Sequence, residues 1–157
     1  MTIVLREISG RAADAILVGE RPEGVRLADD YPTEFSAGMA EAVGKEGQFQ
    51  YFVQRLEDEV VVGDIGAAFV DGEGTIEIGY AVVGSEQNRG YATAAVQALV
   101  ASMRDLSEVR RFVAHAPLER PESGRVLEKA GFTMAREMDD TDEMGNVLRV
   151  NEWELAV

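Results

Sequence analysis

The sequence predicts a mixed α/β fold, a mostly antiparallel central sheet with helices on both faces, and three observations carry that prediction. Residues 49–56 and 60–70 are rich in β-branched and aromatic residues and are separated by Glu57-Asp58-Glu59, so they read as a hairpin that 75–82 extends. After Gly90, the residues Ala92, Ala95, Val96, Leu99, Met103 and Leu106 recur at three- and four-residue steps and form one apolar helical stripe. Further strands follow that helix, which makes it a crossover between two parallel strands within an otherwise antiparallel sheet.

Each element has its own justification. The opening Thr2 to Ile8 reads as a strand, Ala12 to Val18 as a short helix, and Gly19 to Pro32 as a loop. A second helix is expected from Thr33 to Val43, stopped by the turn chemistry of Gly44 to Gly47. Asp71-Gly72-Glu73-Gly74 turns the chain between the second and third central strands. Beyond the crossover helix, Arg111 to His115 reads as a strand. Pro121 can start a helix anchored by Val126, Leu127 and Ala130 and capped by Gly131. Phe132 to Met138 and Leu148 to Leu155 complete the sheet as a strand pair. No repeat, low-complexity tract or linker interrupts the 157 residues, so one domain is expected.

Composition excludes several classes. The chain has no cysteine, which removes disulfides, thiol nucleophiles and thiolate metal sites, and its N-terminus carries no basic segment followed by an apolar signal core. Cytoplasmic residence is the expectation, with no membrane span. A formal charge of −14 repels the phosphate backbone, so nucleic acid is not an expected partner, whereas cationic amines would be attracted. The run 137–143 contains five acidic residues but lacks the spacing of a calcium loop; a soluble hairpin is expected, and no metal. A homodimer is compatible with the general run of soluble assemblies, and no interface is readable.

The chemistry-bearing segment is Gln87-Asn88-Arg89-Gly90-Tyr91-Ala92-Thr93, between the strand of Glu77 and the crossover helix. Backbone N–H groups at a helix N-terminus form an anion site; Gly90 lets an anion approach, Ala92 leaves room, and Thr93 can donate to a phosphate oxygen. The same heptapeptide would also serve as a plain tight turn with Thr93 as a cap. A GxxxxGK[ST] loop is absent, and so is a GxGxxG segment in a βαβ unit, which disfavours ATP and NAD.

Gln87-x-x-Gly90-x-Ala92 matches the Q/R-x-x-G-x-G/A pyrophosphate signature of the GNAT superfamily of acetyl-CoA-dependent N-acetyltransferases. The strand 76–82 and the segment Ser123 to Phe132 also resemble that family, particularly its branch similar to ribosomal-protein N-acetyltransferases. The resemblance implies splayed parallel strands carrying Glu77 and Arg111–His115, with pantetheine in the opening. Backbone at Ala81, Val82 and Val83 would hold pantetheine and thioester, the amides of Asn88 to Thr93 the pyrophosphate, and Arg125 or Lys129 the nucleotide end. It also implies N-acetyl transfer from acetyl-CoA to a primary amine, on a small molecule or a peptide N-terminus. A non-catalytic acyl-CoA-binding or regulatory module, or a structural interaction domain, would keep the same fold.

Direct transfer needs a neutral amine, yet a lysine-like amine with pKa ~10.4 is held protonated at pH 7 by roughly 4.6 kcal/mol, so a base matters. Glu77 is the first candidate, because the resemblance places it where family members hold a catalytic carboxylate; an exposed strand carboxylate is its bland alternative. His115, the sole histidine, is the reserve. The CoA thiol, pKa ~8.5, leaves with little need of an acid. Family members often carry a tyrosine in the last helix where this chain has Leu127, and their usual Asn is Arg120 here. Ser123 matches a serine able to bond the sulfur, or simply a helix-capping hydroxyl. Asp29 and Tyr31, on a loop that shapes the acceptor site in the family, are the candidate amine contacts.

Overall fold

The structure is a computed structural model and describes residues 2–142 and 144–157. Its elements run β1 (Ile3–Glu7), α1 (Gly10–Leu17), β2 (Arg26–Leu27), α2 (Ser36–Ala42), β3 (Gln48–Arg55), β4 (Val60–Phe69), β5 (Thr75–Val82), a 3₁₀ turn (Gly84–Glu86), α3 (Tyr91–Met103), β6 (Arg111–Pro117), α4 (Pro121–Lys129), β7 (Thr133–Thr141) and β8 (Val147–Ala156). The strands form one sheet in the order β1-β3-β4-β5-β6-β8-β7, with β2 added beside β4. Pairing is antiparallel except for β5 with β6, which the crossover through α3 joins, and the short β2 with β4, which α2 and β3 connect.

Strand alternation divides the core into two layers. Ile76 and Ile78 of β5, Phe112 and Ala114 of β6 and Val62 and Ile65 of β4 point toward α3 and α4, where Val96, Leu99 and Leu127 complete the larger cluster. Burying side chains such as Phe112 and Leu99, both 0% exposed, contributes about 1.5–3 kcal/mol each. On the opposite face, Phe52, Val61 and Val83 pack against Ala12 and Ala13 of α1 and Ala40 of α2. Neither helix reaches the β6-β8-β7 end, so polar side chains occupy that face there.

Three elements differ from the sequence reading, each for a local reason. Helix α2 begins at Ser36 rather than Thr33, because the Thr33 amide donates to Ser36 Oγ (2.9 Å) and the Phe35 amide to Thr33 Oγ1 (3.1 Å), side-chain bonds that hold these residues in a turn. Helix α3 stops at Met103, and Leu106, the last residue of the expected stripe, lies beyond it and is exposed. The two-residue β2, inside the expected loop, is too short for any period to show. Of the acidic run, residues 137–142 enter and leave β7, paired with β8 as the expected hairpin; Glu143 lies outside the described residues.

Candidate active site

The parallel pairing of β5 and β6 ends at Ile78 opposite Ala114, and the strands then part. A cleft of about 730 Å³ opens there, lined by Gly79 to Val83 on one side and by His115, Pro117 and Ser123 on the other. The β5 edge facing it carries backbone groups that lie outside the sheet ladder. Val83 N–H bonds the Val62 carbonyl (2.9 Å), so by antiparallel alternation Ala81 faces β4 while Tyr80 and Val82 turn their backbone groups toward the cleft.

At one end of the cleft stands the N-terminus of α3. Gly90 is its N-cap in the left-handed region (φ 83°), no side chain caps the helix, and Asn88 is also left-handed (φ 64°). Among the described residues, the amides of Asn88 through Thr93 donate to no protein acceptor; the first helical bond is Ala94 N–H to the Gly90 carbonyl. Six consecutive unspent donors at the positive end of a helix dipole form an anion cradle. Gln87, Asn88, Gly90, Tyr91, Ala92 and Thr93 line the cleft with Ala81, Val82 and Val83, and the basic side chains of Arg125 and Lys129 stand on its α4 wall. Arg89 does not line it; its side chain is exposed beside Glu86. The Gln87 side chain donates back to the Val82 carbonyl (3.0 Å) and ties the turn to β5.

The candidate catalytic residues fall into two groups. Glu77 and His115, weighed as alternatives from the sequence, are neighbours: Glu77 Oε1 lies 3.4 Å from His115 Nδ1. Glu77 sits just before the fork and is half-buried; it borders the cleft through His115 rather than lining it. The same Nδ1 lies 3.0 Å from Asp140 Oδ2, and Nε2 lies 2.9 Å from Glu152 Oε2, which Arg136 also contacts. Carboxylates accept but do not donate, so an imidazole held between them at both nitrogens is satisfied as the cation. Burial acts to lower the His115 pKa, but the bond to Glu152 and the Glu77 and Asp140 charges outweigh it and raise it above its ordinary value. Burial likewise raises Glu77, against the lowering pull of His115. Glu77, His115 and Asp140 also offer ligand atoms within 4.8 Å of one another, so a cation other than the proton could be held there.

Ser123 lines the cleft in the first turn of α4, where Arg120 and not Ser123 is the N-cap; its carbonyl accepts from Tyr80 Oη (3.1 Å). Leu127 is buried in the core, 1% exposed, and does not line the cleft. On the loop expected to shape the acceptor site, neither Asp29 nor Tyr31 lines the cleft; Asp30 and Pro32 to Phe35 do. Tyr31 is turned inward, 5% exposed, with its hydroxyl on Asp64 (2.7 Å). Sequence reasoning missed Asp140 and Glu152, which only strand register brings to His115, and Asp64, whose signal is a lone charge in the apolar run of β4. It also missed the Arg120–Glu34 ion pair, which spans the cleft mouth.

Similarity to known proteins agrees with this geometry. Three solved structures cover the chain almost wholly: a proposed ribosomal-protein-serine acetyltransferase from Vibrio cholerae (TM-score 0.74, 16% identity, 100% of this chain and 95% of that one); the microcin C7 self-immunity acetyltransferase MccE in complex with acetyl-CoA and AMP (0.73, 17%, 99% and 93%); and a chimera of the Vibrio cholerae spermidine N-acetyltransferase SpeG and hSSAT (0.72, 12%, 99% and 96%). At these identities the likeness establishes the fold. No curated protein sequence matches the chain. Residues 2–133 match the family model described as an acetyltransferase (GNAT) domain, and with most of its length inside that match the chain belongs to the GNAT acetyltransferase family.

Proposed function

We propose that the protein transfers the acetyl group of acetyl-CoA directly to a primary amine, on a small molecule or a peptide N-terminus, inside the cleft between β5 and β6. The observation that carries this reading is the row of unspent amides from Asn88 to Thr93, opening into a cleft whose β5 wall turns the Tyr80 and Val82 backbone toward it. The amides suit a diphosphate, and the Tyr80 and Val82 backbone suits the amide groups of a pantetheine arm. A thioester at the end of that arm would lie near the fork at Ile78 and Ala114, on the doorstep of Glu77 and His115.

The acceptor enters from the α2 side, past Pro32 to Phe35, where the net charge of −14 favours a cationic amine. Glu77 is the base: its pKa is raised by burial, it reacts as the carboxylate, and a water can carry the amine proton to it. His115, with both nitrogens donating, has no free lone pair to serve as base; it orients Glu77 and balances the charge of Asp140 and Glu152. The nitrogen–carbon bond forms, the carbon–sulfur bond breaks, and CoA leaves as a thiolate that the Ser123 hydroxyl can meet. Leu127, at the position where family members often carry a tyrosine, is buried, so α4 supplies no phenol to that departure.

The test is CoA release from acetyl-CoA with a panel of spermidine, amino-acid amides and short peptides. Wild type should turn over at least one, and Glu77→Gln should lower kcat by about 10²–10⁴-fold with acetyl-CoA affinity retained. Acetyl-CoA binding without turnover on any amine would favour the non-catalytic module, a reading to which the buried Leu127 lends support.

A further inference from the structure

Asp64 is fully buried in β4, opposite Ala81 of the cleft wall, and among the described residues its carboxylate meets only hydroxyl donors. Its carboxylate instead accepts three hydroxyl hydrogen bonds: from Tyr31 Oη (2.7 Å), from Thr33 Oγ1 (2.9 Å) and from Ser36 Oγ. All three donors belong to one segment of six residues, 31–36, whose Pro32, Thr33, Glu34 and Phe35 form the lip of the cleft on the side opposite α3. A buried carboxylate is a costly way to fill a core position, since an apolar residue of similar size would stabilise the sheet at least as well.

What the carboxylate provides is direction. Burial raises the Asp64 pKa and the bonds from Ser36, Tyr31 and Thr33 oppose that rise. In the carboxylate form, which three donating hydroxyls favour, Asp64 only accepts, so each hydroxyl spends its proton on it and turns its lone pairs elsewhere. Ser36 Oγ then accepts the Thr33 amide (2.9 Å) and Thr33 Oγ1 accepts the Phe35 amide (3.1 Å), so the lip backbone hangs from the two hydroxyls that Asp64 orients. An apolar group at position 64 would remove the acceptor that both Thr33 and Ser36 share at Oδ2, free the two hydroxyls to turn, and leave the lip amides without fixed partners. Backbone bonds tie the two ends of the segment, Tyr31 N–H to the Ala28 carbonyl (3.1 Å) and Met39 N–H to the Phe35 carbonyl (3.0 Å), while the side-chain ties beside it, Asp30 to the Ser85 amide (2.9 Å) and hydroxyl (2.8 Å) and Glu34 to Arg120, are exposed.

We propose that Asp64 is a positioning residue for the acceptor: through Ser36 and Thr33 it sets the shape of the lip at Pro32–Phe35, and so the fit of the amine, without touching the donor site. The inference rests on the reading of the cleft given above for the direction from which the amine enters.

The test compares wild type, Asp64→Leu, which removes both acceptor oxygens, and the milder Ser36→Ala by three readouts. Hydrogen exchange of the ligand-free protein should show amides 33–36 exchanging at least tenfold faster in both variants, with α3 and β5 unchanged. Titrated acetyl-CoA should bind within twofold of wild type. With spermidine, or the first amine that wild type accepts from the panel, KM for the amine should rise at least fivefold while KM for acetyl-CoA stays put. Wild-type exchange at the lip in both variants would overturn the proposal. So would an amine KM that does not move, or losses in amine, acetyl-CoA and sheet protection that run in parallel, which mark a merely structural role. Should Asp64→Leu fail to fold, Ser36→Ala carries the same comparison. Failure of wild type to bind acetyl-CoA would instead sink the acetyltransfer reading, and the exchange experiment would still decide whether Asp64 holds the lip.

Discussion

Replacing Arg55 by methionine probes how the anion cradle is held in place. Arg55, at the end of β3 with its side chain 14% exposed, donates to Asp58 through Nε (3.0 Å) and Nη2 (2.8 Å), to Glu86 through Nη1 (2.7 Å), and lies 5.9 Å over the Tyr91 ring. Glu86 lies just before the cradle and Tyr91 within it. The bonds to exposed Asp58 count for little. The charge-assisted bond to Glu86, itself only 16% exposed, is worth about 1.5–3 kcal/mol, and the stacking on Tyr91 adds about 0.5–1 kcal/mol. Methionine keeps the apolar stem, so the loss should total roughly 2–4 kcal/mol, a fall in Tm of about 5–12 °C for a chain of this size. If about half of that energy maintains the turn, acetyl-CoA binding weakens about tenfold; Arg55→Lys, which keeps the charge but not the fork, should fall between. Thermal unfolding and calorimetric titration read both quantities. A methionine variant that melts within about 1 °C of wild type and binds acetyl-CoA as well would refute this account of the turn's support.

Other consequences follow from the same structure. The folded His115 pKa lies above its ordinary 6.5, so its bonds contribute fully below that value and are lost as pH rises through the folded one. Burial would raise Glu152, but His115 and Arg136 hold it below its ordinary 4.5, so its contribution is present above 4.5 and lost as pH falls through the folded value. The cluster therefore stabilises most between about pH 4.5 and 6.5, and His115→Gln should flatten the decline of Tm above that window; an unchanged Tm profile would contradict the cationic histidine. Leu127→Tyr, which restores the tyrosine common in the family's last helix, meets a packed core rather than the cleft. It should destabilise by about 1–3 kcal/mol in thermal unfolding without raising kcat, and a faster enzyme would show that the ring reaches the site.

The cradle was legible in the sequence because it is local: a strand, a glycine in the left-handed region and a helix N-terminus are contiguous, and each has its own signal. The fork was legible through the order of elements, since one parallel pair in an antiparallel sheet must lie across α3. The setting of His115 was not, because Asp140 and Glu152 reach it through the β6-β8-β7 register, and a slip of one residue would turn both to the other face. Tyr31 illustrates the remaining difficulty. An aromatic in an acidic loop reads equally well as a ligand contact or an anchor, and only the position of Asp64, more than thirty residues away, makes it an anchor.

Calorimetric titration of acetyl-CoA into wild type, Gly90→Ala and Gly90→Glu tests the central claim most directly. Nothing lies within 4 Å of a Cβ built at Gly90, so alanine isolates the cost of the left-handed backbone, about 1–2 kcal/mol, whereas glutamate also sets a negative charge against the diphosphate. The account predicts wild-type binding with Kd on the order of micromolar, and a further loss of at least tenfold from alanine to glutamate, within the range of enzyme–substrate affinities. Wild type that takes up no acetyl-CoA, or a glutamate variant that binds it as well as alanine does, would contradict it.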